Sequence, residues 1–76
     1  MTALTEKQAE AYRFIKDFIA INHYPPTRSE IAEAFDILPN AAQARLAALI
    51  KKGAVTVVAK KGRSIVPVKG YRMKVK

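Results

Sequence analysis

The chain has 76 residues, half of them hydrophobic and 26% charged, with a net charge of +8 and no cysteine. So short a chain buries roughly 60% of the surface that its unfolded form exposes, which sustains one core and not two. Its apolar content is too high for a disordered tail, and the missing cysteines exclude both a disulfide framework and a thiolate zinc site.

No apolar run approaches the roughly 20 residues needed to span a bilayer. The start MTALTEKQ lacks the basic-then-apolar order of a secretion signal, so a cytoplasmic protein without a membrane partner is expected. The charge is unevenly spread. Residues 1–50 carry five basic and six acidic side chains, whereas residues 51–76 carry nine basic and none acidic. A one-sided cation of this kind suits a polyanion, with nucleic acid first, an anionic membrane surface second and acidic protein third.

In chain order, Thr5 followed by Gln8 has the spacing of a capping box and predicts a helix that starts there and runs to about Asn22. Ala11, Phe14, Ile15, Phe18 and Ile19, flanked by Tyr12, give it a wide apolar face. His23-Tyr24-Pro25-Pro26 ends it, since a residue before proline is pushed out of the helical region and the second proline donates no backbone hydrogen bond, and forms a rigid connector. Thr27 and Glu30 repeat the capping-box spacing, and Ile31, Ala32 and Phe35 supply the inward face of a helix of about two turns. Asp36-Ile37-Leu38 then reads as a tight turn before Pro39, whose fixed φ and missing amide proton suit the first position of a third helix. In that helix Ala42, Leu46, Leu49 and Ile50 are expected to face the core, and Gly53 to close it in a left-handed conformation.

From Ala54 the pattern changes to β-branched runs around Lys60-Lys61-Gly62, which reads as a hairpin, with Pro67 at a strand end. The alternation of Tyr71, Met73 and Val75 with Arg72, Lys74 and Lys76 fits either a further strand or an ordered arm. The predicted class is mainly α with a small β-hairpin, a winged helix-turn-helix of three helices plus wing. It would form one domain over 1–68, followed by a basic segment over 69–76.

The third helix exposes small and amide side chains near its start, as an element entering a groove about 12 Å wide requires. Asn40 and Gln43 are the candidates for base reading, because an amide both donates to and accepts from adenine, while Ala41 or Ala44 meets a thymine methyl. Thr27, Arg28 and Ser29 bring hydroxyls, a guanidinium and first-turn amides to a candidate phosphate site, although Thr27 is first of all a cap. Lys51 and Lys52, and Lys60, Lys61 and Arg63 at the hairpin turn, are the further phosphate candidates. Each of these is equally a solvated surface residue until placed by the fold.

Catalysis finds no support. His23 has neither cysteine nor spaced carboxylates beside it, Glu33 reads as a solvated helix face, and Ser29 and Ser64 lie in no nucleophile motif. No cofactor or metal is called for.

ALTEKQ, YPPTRSEIAEAF and PNAAQARLAALIKKGAV together resemble the N-terminal DNA-binding domain of the LexA repressor family over roughly residues 3–66. The resemblance implies a winged helix-turn-helix that binds operator duplex DNA and represses transcription, with Asn40 and Ala41 at recognition-helix positions that face bases. This chain departs from the family in carrying Gln43 and Ala44 where two acidic residues are usual, which implies a different operator. Its turn before Pro39 is one residue shorter, and Leu38 stands where a hydroxyl cap is expected. The 76 residues leave no room for the family's C-terminal self-cleaving and dimerising domain, so self-cleavage is not expected of them. A stand-alone module would suit a phage or other mobile element. A homodimer paired through Tyr71 to Val75 is the expected route to two copies. The rival reading is a protein-interaction module that binds a host protein, because fold alone does not fix function.

Overall fold

A computed structural model of the chain describes residues 3–58 and 64–75. Within them run three helices, α1 (Glu6–Asn22), α2 (Arg28–Phe35) and α3 (Pro39–Lys51), followed by two short strands, β1 (Val55–Val57) and β2 (Ile65–Pro67). This is the expected winged helix-turn-helix order.

Both capping boxes form. At α1 the Gln8 amide donates to Thr5 Oγ1 at 3.2 Å while the Thr5 amide donates to Gln8 Oε1 at 3.0 Å. At α2 the Glu30 amide donates to Thr27 Oγ1 at 3.1 Å and the Thr27 amide to Glu30 Oε1 at 2.9 Å. Each box satisfies two backbone donors that a helix start otherwise leaves without a protein partner.

The helices end where the sequence places their ends, and two of the ends are closed by left-handed residues that are not glycine. His23, at φ 66°, turns the chain out of α1 before the prolines are reached, its amide donating to the Ile19 carbonyl at 2.8 Å. Pro26 then goes fully into the core. Asp36 does the same for α2 at φ 54°, with the Ile37 amide on the Ala32 carbonyl at 2.9 Å. A short polar side chain tolerates this left-handed conformation better than most, and here it delivers Ile37 to the core. Gly53 closes α3 as expected, at φ 80°. The Ala54 amide reaches the Leu49 carbonyl at 2.9 Å and the Gly53 amide the Ile50 carbonyl at 3.1 Å.

The core comprises Leu4, Ala9, Ala11, Tyr12 and Ile15 before and along α1, Ile31 and Ala32 on α2, Ala42, Leu46 and Leu49 on α3, and Ala54, Val55 and Ile65 around the hairpin. Ile50 is a correction: it is 40% exposed. One residue beyond Leu49 is a rotation of about 100° around the helix, which carries it off the buried row. Phe14 packs edge-on against Phe35, and Phe18 against Tyr24, so the aromatic rings seal the junction of α1 with α2 and its connector.

The strands are antiparallel, pairing Val55 with Pro67, Thr56 with Val66 and Val57 with Ile65. This register puts Val55, Val57, Ile65 and Pro67 on one face and leaves Thr56 and Val66 on the other, which is solvent-exposed. The C-terminal segment is an arm. It turns at Gly70, lays Tyr71 edge-on against Tyr12 at 5.4 Å, packs Met73 on the core and ends in a single parallel bridge between Val75 and Leu4. The Leu4 amide donates to the Lys74 carbonyl at 2.7 Å, so one side of the segment expected to offer an edge strand is occupied within the chain.

Candidate nucleic-acid interface

Helical periodicity splits α3 into two opposed stripes. Ala42, Leu46 and Leu49 are buried, and Asn40, Gln43, Ala44, Ala47 and Lys51 lie half a turn away, all exposed. The buried row anchors the helix to the core, so the outer row is rigidly presented. Apart from Asn40, Gln43 and Lys51, that row consists of alanines, and no bulky side chain obstructs close approach to a surface. Ala41 is half-buried beside the stripe.

The helix start is unusual. Leu38 occupies the cap position in extended conformation, makes no side-chain cap bond and is 71% exposed. Pro39 removes one of the unpaired first-turn donors, and the Ala41 and Ala42 amides close on the Leu38 carbonyl at 3.0 and 3.1 Å. No acidic residue lies in this first turn.

A second feature joins α2 to the wing. Thr27, Arg28 and Ser29 line a groove of about 310 Å³ together with Leu46, Val57, Ser64 and Ile65. Arg28 and Ser29 are exposed. The amides of a helix's first turn have no intrahelical acceptors, and the helix dipole adds partial positive charge there. Ser64, which is not among the phosphate candidates of the sequence, also lines this groove. Pairing of β1 with β2 is what carries it across to the α2 start, and no local signal marks that.

The basic candidates separate. Lys51 is exposed in the last turn of α3. Lys52 is half-buried and turns back onto the N-terminal segment, donating to the Ala3 carbonyl at 2.9 Å and to Gln8 Oε1 at 2.6 Å. Lys60, Lys61 and Arg63 lie outside the described residues. Arg45 is a further cation, held with its guanidinium 5.5 Å from the centre of the Phe35 ring, which ties α3 to the end of α2.

Among the described residues no group of three His, Cys, Asp or Glu side chains is placed to hold a metal ion, and no helix is long and apolar enough to cross a membrane. The family model of the LexA DNA binding domain matches residues 1–64. That match includes all three helices and the first strand. With five-sixths of its length accounted for in this way and the winged helix-turn-helix in place, the chain belongs to the LexA DNA-binding domain family and is a DNA-binding module.

Proposed function

We propose that this chain is a sequence-specific repressor of transcription that occupies operator duplex DNA and so blocks a promoter. The carrying observation is the exposed stripe on α3: two amide side chains three residues apart, followed by alanines and a lysine, opposite a fully buried row. A helix with its side chains is about 10–12 Å across and the major groove about 12 Å wide, so a row of alanines favours entry. In this reading Asn40 and Gln43 hydrogen-bond to base edges and Ala41 and Ala44 contact thymine methyls. Arg28, Ser29, Thr27 and Ser64 grip one phosphate stretch from the α2 side. Lys51, together with the sequence candidates Lys60, Lys61 and Arg63, adds sequence-independent attraction. A second copy, paired through the side of Tyr71–Val75 away from Leu4, belongs to the same reading. Sedimentation that finds a monomer both free and on DNA would remove that part.

Selection from random duplex DNA, followed by titration across salt, tests the central claim. The native chain should yield a motif. Asn40→Ala with Gln43→Ala should relax it at a loss of roughly 1–3 kcal/mol per lost bidentate contact. Arg28→Ala should weaken all sequences alike and reduce the salt slope by about one. Run-off transcription from a promoter overlapping the motif should fall on addition of the native chain. Without a motif, and with binding that merely collapses in salt, sequence-specific repression is wrong and a protein-binding module becomes the better reading.

A further inference from the structure

The side chain of Leu38 is 71% exposed at the start of α3, yet it is a large hydrophobic group in a position where Ser, Thr, Asp or Asn would have capped the helix. Leucine there forgoes the side-chain bond that caps α1 and α2, so the Ala41 amide closes on the Leu38 carbonyl instead, and most of the leucine's apolar surface is left in water. The position is two residues before Asn40, so the two Cα atoms lie within about 7.6 Å of each other, the length of roughly two base-pair steps of about 3.4 Å. Whatever base edge Asn40 reaches, Leu38 is close enough to meet a neighbouring pair. The apolar group on offer in the major groove is the 5-methyl of thymine.

We propose that Leu38 is a specificity-determining residue that contacts the methyl group of a thymine flanking the bases read by Asn40 and Gln43. This rests on the base-reading role proposed above, and it adds a second kind of contact at the leading end of the same helix. The amides select by hydrogen bonding. Leu38 selects by excluding water from a methyl group and leaves cytosine, which lacks the methyl, as the poorer partner.

Replacing thymine by deoxyuridine removes that methyl and nothing else, which makes the test chemical on the DNA side and mutational on the protein side. The native chain and Leu38→Ala are titrated, at one salt concentration, against the duplex selected by the native chain and against versions with each thymine singly replaced. One thymine within two steps of the Asn40-dependent or Gln43-dependent position should show a loss of about fourfold for the native chain, the affinity equivalent of burying one methyl group. The same replacement should cost Leu38→Ala nothing, and the two proteins should bind the uracil duplex equally. Leu38→Ser, a variant that caps the helix, should fold at least as stably as the native chain and should also ignore the methyl. If every thymine carries the same uracil penalty in all three proteins, as contacts by Ala41 or Ala44 alone would give, or if no thymine carries any, the role of Leu38 is overturned while base reading by the amides stays intact. Failure to select any motif overturns both.

Discussion

Lys52 reaches back across 44 positions of chain to place its ammonium 2.6 Å from Gln8 Oε1, the same oxygen that accepts the Thr5 amide in the α1 capping box. It also donates to the Ala3 carbonyl. One amide oxygen thus closes the start of α1 and fastens the end of α3, the helix that carries the base-reading candidates. Among the phosphate candidates Lys52 stands apart, because its bonds tie the N-terminal segment to the end of α3. Lys52→Met should therefore cost about 1–2 kcal/mol of stability, as loss of a charge-assisted hydrogen bond does, and leave the salt slope of DNA binding unchanged. Lys51→Met, at the neighbouring exposed position, should do the reverse and lower the slope by about one. Urea melts and salt titrations on the two variants separate the roles, and a reduced slope for Lys52→Met would put its charge on the phosphate after all.

Leu38 allows a gain of stability by substitution. A serine at this position would offer its hydroxyl to the Ala41 amide in place of the tight three-residue bond that this amide now makes to the Leu38 carbonyl, as Thr5 and Thr27 do at the corresponding place in α1 and α2. Leu38→Ser should stabilise the fold by about 1 kcal/mol, a rise of some 4–8 °C in Tm for a domain of this size. Calorimetry measures it directly. An unchanged or lower Tm would show that the leucine contributes to folding in a way that its exposure hides.

These helix ends also show what was legible in the sequence. Thr5 with Gln8 and Thr27 with Glu30 bond across three residues, so the spacing alone announced them, and Pro39 and Gly53 carry their conformational restrictions with them wherever they stand. The exposed stripe of α3 was equally plain, because periodicity places Asn40, Gln43 and Ala44 together whatever α3 packs against. His23 and Asp36 gave no such signal. They adopt a left-handed conformation usually left to glycine, and only the docking of Pro26 and Ile37 into the core explains why they do so. Ser64 in the groove beside Arg28, the bond from Lys52 to Gln8 and the bridge from Val75 to Leu4 depend on elements far apart in the chain. No local spacing encodes those.

Tyr71 connects the C-terminal arm to the first helix through its edge-on contact with Tyr12 at 5.4 Å. Burial raises its pKa above the ordinary value of 10.0, with the neighbouring Tyr12 phenol adding to the rise. The folded state therefore holds the Tyr71 proton more tightly than the unfolded chain does. Its contribution is fully present below about pH 10 and is lost as the pH rises from the unfolded value through the higher folded one, because the unfolded chain ionises first. The informative quantity is a difference between two proteins that share every other ionisable group. Tyr71→Phe keeps the ring against Tyr12 and removes the ionisable group. Its urea midpoint should fall less steeply than that of the native chain between about pH 9 and pH 11, and parallel profiles would mean that the phenol of Tyr71 is as free to ionise on the folded surface as in the unfolded chain.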